Sequence, residues 1–277
     1  MPPDDSYLHG TDPVEQRRLS LLNEMLNRAS LDRAALRGGE RILDLGCGLG
    51  QFSRLMARAA GPSGKVIGIE RSEEQIAEAL RLAALDHEEG LVEIRHGNAA
   101  DPPLAETEWA TFDVVHARFL LEHLADPAAA VRAMARAVRP GGRLLLQDDD
   151  HDLLRFFPEP PGAETLWRAY ITAFERNGND PHIGRRLPAL MHAAGLRPVR
   201  TDWIFFGGCA GQPQFPMMVE NMIGLCAGMR EAILATGLMS QAAFEAALAS
   251  LRTWASQPDA SMGYALSWAE GLRTDNS

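Results

Sequence analysis

Short apolar runs alternate with helix-like segments between residues 41 and 147, and this rhythm limits the fold more than any other feature of the chain. Strands that are buried on both faces and joined by helices form parallel sheets, and right-handed crossovers wind such sheets in both directions. We therefore predict an α/β fold with a doubly wound, mostly parallel sheet of the Rossmann-like kind. The five apolar runs cover residues 41–45, 65–70, 91–95, 112–117 and 143–147.

Beyond residue 150 the alternation ends and helical patterns dominate. We predict helices over residues 162–177 and 186–194, a sixth strand over 198–206 and a seventh, at the edge of the sheet, over 261–268. The methionine-rich segment that precedes the last strand is interpreted as a helical lid over the ligand end of the sheet. The predicted regions are an N-terminal helical cap (1–36), a core (37–208) with a helical segment (160–195), the helical lid insertion (209–258), and the last edge strand with a tail (259–277).

Charge and cysteine content narrow the range of partners. The chain carries 27 Lys and Arg against 37 Asp and Glu, a net charge of −10, which disfavours nucleic acid because phosphate binding needs clustered cations. Cys47, Cys209 and Cys226 have no zinc-type spacing, and no apolar run is long enough to span a membrane. We therefore expect a cytoplasmic protein with a small-molecule substrate and neither a nucleic-acid nor a membrane partner. A homodimer stays open as one alternative.

Three glycines follow the first predicted strand. Gly46, Gly48 and Gly50 stand between the strand RILDL and the start of a helix. Glycine allows a sharp turn and lets a ligand approach the backbone, while the N-terminus of a helix favours an anionic group. Glu70, at the end of the second predicted strand, can accept hydrogen bonds from both hydroxyls of a ribose. This combination predicts a site for an adenosine-containing cofactor at the ends of the first two strands.

A dinucleotide site is the nearest alternative to this interpretation. The NAD fingerprint GxGxxG requires a glycine at position 51, where this chain has Gln51, and the third glycine here comes one residue earlier. Asp44 within the first strand and Cys47 between the glycines also differ from that fingerprint. The pattern GxGxG therefore leaves an NAD-dependent oxidoreductase as the weaker alternative.

Four segments resemble the class I S-adenosylmethionine-dependent methyltransferases, in the branch that acts on small molecules. They are DLGCGLG (44–50), HGNAADPPL (96–104), FDVVHARFLLEHLADP (112–127) and RPGGRLLLQDDD (139–150). The resemblance implies a Rossmann-like methyltransferase fold, S-adenosyl-L-methionine as the cofactor and S-adenosyl-L-homocysteine as the product. It covers residues 41–147 with specific motifs and the termini more loosely.

The same resemblance implies which residues hold the cofactor. The glycine turn would pass beneath the methionine part, Glu70 and Arg71 would flank the ribose, and Asn98 with Ala99 would meet the adenine. The family usually has Asp where Asn98 stands, but the amide oxygen can still accept a hydrogen bond from the adenine amino group. In this branch an N-terminal Tyr and Arg also close over the cofactor. The predicted set is Tyr7, Arg18, Asp44, Gly46, Cys47, Gly48, Gly50, Gln51, Glu70, Arg71, Asn98, Ala99 and Arg118.

Candidate catalytic residues lie at the ends of the fourth and fifth predicted strands. A general base helps methyl transfer when the acceptor loses a proton, and His123, Asp149 and His151 are the candidates. Paired acids alone are a poor predictor of magnesium, so no metal is expected. Aromatic and methionine side chains are predicted to line an apolar acceptor pocket: Trp167, Tyr170, Phe174, Phe205, Phe206, Phe215, Met217, Met218 and Met222.

These observations together predict an S-adenosylmethionine-dependent methyltransferase that acts on a small, mostly apolar acceptor. A non-catalytic regulatory module that binds S-adenosylmethionine would share the fold and the cofactor site. Turnover with a panel of acceptors separates the enzyme from the regulatory module. Binding of NADH would instead favour the oxidoreductase.

Overall fold

One eight-stranded sheet forms the centre of the protein. The computed structural model describes residue 23 and residues 26–274. The strands are β1 (Arg41–Leu45), β2 (Lys65–Glu70), β3 (Glu93–His96), β4 (Phe112–Arg118), β5 (Val138–Asp148), β6 (Arg155–Phe157), β7 (Arg197–Cys209) and β8 (Ser261–Leu272). Their order is β3-β2-β1-β4-β5-β8, with β7 beside β8 and β6 paired with the first residues of β8. The first five strands are parallel, so the predicted doubly wound, mostly parallel α/β sheet is confirmed.

Helices pack on both faces of this sheet. They are α1 (26–34), α2 (Gln51–Ala60), α3 (Glu73–Leu85), α4 (Pro127–Ala137), α5 (Ala163–Arg176), α6 (Leu187–Ala193), α7 (Phe215–Gly228), α8 (Arg230–Ala235) and α9 (Gln241–Trp254). Successive strand residues point to opposite faces, so Ile42 shares a core with α1 and α2, whereas Leu43 shares one with α4 and α6. The winding reverses between β1 and β4, which places a ligand crevice beyond the carboxyl ends of these strands.

The last strand lies inside the sheet. The sequence predicts an edge strand over residues 261–268, and this prediction is wrong because β8 pairs antiparallel with β5 on one side and with β7 on the other. Every side chain from Tyr264 to Ala269 is buried, as an interior strand requires. The three-residue strand β6 raises the number of strands from the predicted seven to eight.

A separate core lies among the later helices. The helices predicted over 162–177 and 186–194 are found as α5 and α6. Side chains of α5, α7, α8 and α9 pack together with residues of β8, including the buried Tyr264. Residues 209–258 therefore contain three helices, while their role as a lid stays a prediction. Among the described residues, no helix has both the length and the apolar character needed to cross a membrane.

An ion-pair cluster joins β1 and β3 to the segment before β4. Arg95 donates two hydrogen bonds to the Glu108 carboxylate, at 2.7 and 3.0 Å, and Arg41 donates a third at 3.0 Å. These contacts, led by the hydrogen bonds from Arg95, lower the pKa of Glu108 from 4.5 to about 2. A carboxyl group whose pKa falls on folding stabilises the native state above its unfolded pKa, and this contribution is lost as the pH falls through the folded value.

We expect the Glu108→Gln variant to be less stable than wild type at pH 7, because a neutral amide binds guanidinium groups more weakly than a carboxylate does. The difference should shrink as the pH falls from 4.5 to about 2, where the wild-type carboxylate becomes protonated. Urea unfolding at several pH values measures this difference in the free energy of unfolding between the variant and wild type. Glu106→Gln is the control, because Glu106 is 88% exposed and lies 3.4 Å from Arg136. Equal pH dependence of the two variants would contradict the prediction.

Candidate functional site

A crevice opens at the carboxyl ends of β1, β2 and β4. The glycine turn forms its floor, where Gly46, Gly48 and Gly50 have φ values of 69°, 53° and 67°, in the region that side chains disfavour. The backbone N–H groups of Gly46 and Cys47 both donate to the Ile69 carbonyl, at 2.8 and 3.1 Å, so the turn is fixed against the end of β2. The chain therefore presents bare backbone to the crevice at this point.

Most of the predicted cofactor residues meet in this crevice. Gly50 does not line it, because the position where its Cβ would stand faces Ala79 and Ile94, each at 3.6 Å. Tyr7 and Arg18 lie outside the described residues. The predicted residues that line the crevice are Asp44, Gly46, Cys47, Gly48, Gln51, Glu70, Arg71, Asn98, Ala99 and Arg118.

Backbone N–H groups from the glycine turn and from the turn after β2 hold the Glu70 carboxylate in place. Its Oε2 accepts a hydrogen bond from the Gly48 N–H at 2.9 Å, and its Oε1 accepts from the N–H groups of Arg71 and Ser72, at 2.8 and 2.9 Å. Each carboxylate oxygen has two lone pairs, so acceptor capacity remains for a ligand. The same bonds link the glycine turn to the start of α3, whose N-cap is Ser72.

A chain of buried polar groups runs beneath the crevice. Asp44 is 3% exposed and accepts from the Ser53 hydroxyl at 2.5 Å, while His116 Nδ1 lies 2.7 Å from its other oxygen. The amide nitrogen of Gln147 lies 2.8 Å from His116 Nε2, and the Ser30 hydroxyl donates to the Gln147 oxygen at 2.6 Å. Because an amide nitrogen can only donate, His116 Nε2 is the acceptor and Nδ1–H is the donor to Asp44.

Arg118 connects this polar chain to the N-terminal helix. Its guanidinium group donates to the Asn27 side chain at 2.8 Å and to the Ser30 hydroxyl at 3.2 Å, and it also bonds to Asn23. It stacks 4.6 Å above the Phe52 ring. Burial lowers the pKa of Arg118 to about 10, although the nearby Asp44 opposes that shift. The guanidinium group therefore carries a positive charge at neutral pH, in the wall of the crevice.

A second cavity adjoins the crevice, and Phe119 lines both. Its walls are mostly apolar and include four of the side chains predicted for an acceptor pocket, namely Trp167, Phe206, Met218 and Met222. Phe205 instead is 73% exposed, because residues of β7 alternate between the two faces and its neighbours Ile204 and Phe206 point inward. The predicted residues Tyr170, Phe174 and Phe215 belong to the helical core.

The predicted catalytic residues divide between the two cavities. Asp149 and His151 line the second cavity, whereas His123 lines the crevice. Glu122 lies between them, with Oε2 at 3.3 Å from His151 Nε2 and Oε1 at 3.4 Å from His123 Nε2. Sequence reasoning missed Glu122 as a site residue, since a glutamate beside a predicted turn is usually solvated. In the structure it is 4% exposed.

The run of three aspartates separates into three environments. Asp148 is buried and accepts from the Leu121 N–H at 2.8 Å, and burial followed by the charges of Glu122 and Asp149 raises its pKa well above the ordinary value. Asp149 faces the second cavity. Asp150 instead binds the Arg185 guanidinium through two bonds of 2.7 and 2.5 Å. Of the three aspartates, Asp149 alone lines the second cavity.

Two further groups at the second cavity have shifted pKa values. Burial lowers the pKa of His151, which favours the neutral imidazole. Burial, followed by the nearby carboxylates, raises the pKa of Tyr264 well above its ordinary value, so the phenol keeps its proton. The Tyr264 hydroxyl lies 3.1 Å from His151 Nδ1. Sequence reasoning did not identify Tyr264, which is 113 residues away from His151 along the chain.

Sequence comparisons place these features in a known family. A family model described as a methyltransferase domain matches residues 15–201, more than half of the chain. A Streptomyces fradiae protein described as an uncharacterized 37.1 kDa protein in transposon TN4556 is 37% identical over 169 residues, which are 60% of this chain and 46% of that protein. The ubiquinone biosynthesis O-methyltransferase of Ralstonia nicotianae is 38% identical over 178 residues, 63% of this chain and 70% of the relative. This chain spans about half of the length of several other curated relatives.

Solved structures share the architecture at lower sequence identity. The geranyl diphosphate C-methyltransferase of Streptomyces coelicolor superimposes with a TM-score of 0.55 and 16% identity, covering 95% of this chain and 86% of that one. At this identity the likeness concerns the fold, and it agrees with the doubly wound sheet. The matched domain includes the glycine turn, the fixed carboxylate of Glu70 and the ends of β4 and β5. The chain therefore belongs to the class I S-adenosylmethionine-dependent methyltransferase family.

Proposed function

We propose that this protein transfers the methyl group of S-adenosylmethionine to the hydroxyl oxygen of a small, mostly apolar molecule. The main support for the proposal is that Phe119 lines both cavities. An apolar space for the acceptor therefore lies beside the cofactor crevice. A few of the side chains that line the acceptor space are polar, among them Asp149 and His151. Such a site binds an apolar molecule and orients it by a few polar contacts.

The crevice supplies the contacts that the cofactor needs. The bare backbone at Gly46 and Gly48 would receive the methionine part, and the lone pair that remains on Glu70 Oε2 would receive a ribose hydroxyl. The adenine would lie beside Ala99 and Asn98. The Asn98 oxygen accepts from the Ala100 N–H at 2.8 Å, so this side chain also shapes the loop beside the base.

The chemistry requires alignment and one proton acceptor. The bond between sulfur and the methyl carbon breaks as the new bond from the acceptor oxygen to that carbon forms, and S-adenosylhomocysteine leaves as a neutral thioether. The hydroxyl proton passes to the carboxylate of Asp149, which lines the acceptor cavity. Because the sulfonium is already activated, the protein contributes mainly orientation and the exclusion of water. The relative from Ralstonia nicotianae, named an O-methyltransferase, supports oxygen as the methylated atom.

Calorimetric titration and an acceptor panel test this proposal. We expect the full chain to bind S-adenosylmethionine and S-adenosylhomocysteine, and to form S-adenosylhomocysteine only when an acceptor is present. The panel pairs small phenols with their methyl ethers, so that each pair differs in the free hydroxyl alone. Mass spectrometry should show a methylated product from the phenols and none from the ethers. Cofactor binding without turnover of any acceptor would favour the regulatory module, and a chain that binds neither compound would rule out the proposal.

A further inference from the structure

The hydroxyl group of Tyr264 joins two polar residues of the acceptor cavity. Tyr264 belongs to β8 and is 6% exposed, and it lines the cavity together with Asp149 and His151, which follow β5. Its hydroxyl oxygen lies 3.1 Å from His151 Nδ1, and the hydroxyl also forms a hydrogen bond with the Asp149 carboxylate. Three residues that line the same cavity are therefore linked through one phenol oxygen.

The chemistry of these groups sets the direction of both hydrogen bonds. A carboxylate can only accept, so the Tyr264 proton points to Asp149. The phenol oxygen then accepts from Nδ1–H of His151, whose imidazole is neutral because burial lowers its pKa. Burial, followed by the nearby carboxylates, raises the pKa of Tyr264, so the phenol keeps the proton that it donates.

Neighbouring aromatic rings hold this phenol and its imidazole partner in place. Phe206 stands opposite Tyr264 in the pairing of β7 with β8, and the centres of the two rings are 5.2 Å apart. The Trp167 indole, from α5, donates to the His151 carbonyl at 2.7 Å, and its ring lies 5.3 Å from the imidazole. Because both partners are held in this way, the hydrogen bond from Tyr264 can hold the Asp149 carboxylate at one place in the cavity wall.

We propose that Tyr264 is a positioning residue for methyl transfer, which orients the Asp149 carboxylate toward the hydroxyl group of the acceptor. A carboxylate has about four lone-pair sites, so one that accepts from Tyr264 can also accept from the acceptor hydroxyl. The hydrogen bond also favours the ionised carboxylate, which is the form that can take up a proton. The inference rests on the proposed function, in which Asp149 receives the hydroxyl proton. Tyr264 keeps its own proton while the acceptor proton moves to Asp149 and the methyl group moves from sulfur to oxygen.

Other titratable groups act on this cluster from each element packed around it. They are Asp148 at the end of β5, Glu122 after β4, Tyr170 in α5 and His182 before α6. Tyr264→Phe keeps all of these groups and the ring packing, and it removes one hydroxyl. A change in the titration of Asp149 in this variant therefore reports the lost hydrogen bond.

Kinetics of the Tyr264→Phe variant test the role of the hydroxyl. With a phenol that wild type methylates, we expect kcat to fall about tenfold or more, while S-adenosylhomocysteine binds as in wild type. The acid limb of the pH profile of kcat should move to higher pH, because a carboxylate that loses a hydrogen bond holds its proton more tightly. In an Asp149→Asn background the same substitution should cost less than about twofold, since the group that it positions is already gone.

Phe206→Leu is the control, because it changes the ring beside Tyr264 and removes no polar group. We expect it to raise the KM of the phenol and to leave the acid limb at the wild-type pH. The inference is overturned if both variants move the limb equally. It is also overturned if Tyr264→Phe costs as much in the Asp149→Asn background as in wild type, since the hydroxyl would then have a structural role only.

Carbon-13 NMR of the full chain with labelled aspartate follows Asp149 without turnover, and Asp149→Asn identifies its signal. We expect this signal to titrate at higher pH in Tyr264→Phe than in wild type. A 3-fluorotyrosine in place of Tyr264 covers the case in which the phenylalanine variant does not fold. Fluorine makes the phenol a stronger donor, so Asp149 should then titrate at lower pH. An unchanged titration would overturn the inference.

The two proposals fail in different ways. If wild type methylates no phenol, the proposed function is contradicted, whatever the titration of Asp149 shows. If wild type methylates a phenol and Tyr264→Phe does so at the same rate and with the same pH profile, this inference alone is contradicted.

Discussion

Replacing Gly48 with valine is expected to abolish the binding of S-adenosylmethionine and S-adenosylhomocysteine. Gly48 lines the crevice with a φ of 53°, and an added Cβ would stand 3.0 Å from the Gln75 side chain. The branched valine side chain would occupy the space through which a ligand reaches the backbone, and it would strain a left-handed turn. Strain in the turn would also disturb the hydrogen bond from the Gly48 N–H to the Glu70 carboxylate, which is 2.9 Å long.

The Gly61→Val variant is the control that distinguishes a blocked crevice from a general loss of stability. Gly61 has a φ of 70°, and among the described residues no atom lies within 4 Å of the Cβ that it would gain. Gly61 combines this φ with a ψ of −174°, a region essentially restricted to glycine, so Gly61→Val should lose about 1–3 kcal/mol of stability through backbone strain while it leaves the crevice open. Calorimetric titration and thermal unfolding of each variant measure the two effects. Binding retained by Gly48→Val, or lost by Gly61→Val, would be incompatible with the assigned crevice.

The Asp44→Ala variant should show the largest loss of stability among single substitutions at the site. Asp44 is 3% exposed and receives the hydrogen bonds of both Ser53 and His116. Removing its carboxylate leaves these two buried groups without their acceptor, which costs roughly 3–5 kcal/mol when a buried polar network is broken. For a protein of this size we expect the melting temperature to fall by about 10 °C. Differential scanning calorimetry and urea unfolding measure the loss.

Asp44→Asn is the matched variant for this prediction. Its amide keeps one oxygen that can accept from His116 Nδ1–H, while its nitrogen can donate to the Ser53 hydroxyl oxygen. We expect less than half of the stability loss that alanine causes. If alanine proved as stable as wild type, or asparagine less stable than alanine, the polar chain would not contribute as the geometry indicates.

The part of the fold that holds the crevice is predictable because its signals are local. β1, β2 and β4 are short runs rich in apolar residues, and the glycine turn with Glu70 lies within thirty residues of sequence. The position of β8 depends instead on pairing with β5 and β7 across long stretches of chain. The run SMGYALSWAEGL mixes polar and apolar residues, so its composition does not show that both of its faces are buried.

The polar residues of the site were the hardest to predict. Ser30 and Gln147 form a buried hydrogen bond across 117 positions of sequence, and Tyr264 reaches His151 across 113. Serine, glutamine and glutamate are mostly exposed in proteins, so nothing in their immediate sequence indicates burial. A motif predicts the residues that a ligand touches along one turn. It does not predict the groups that other strands bring to the same place.

The interior position of β8, between β5 and β7, has a consequence for how the chain folds during synthesis. Its residues Ser261–Leu272 pair with β5 and β7, which are translated much earlier. Until the ribosome releases this last strand, the backbone edges of β5 and β7 have no neighbour, and unpaired edges promote aggregation. The pairing of β5, β8 and β7 can therefore be completed only after translation has passed residue 272. We expect the chain to depend on chaperones mainly between the synthesis of β7 and the release of β8.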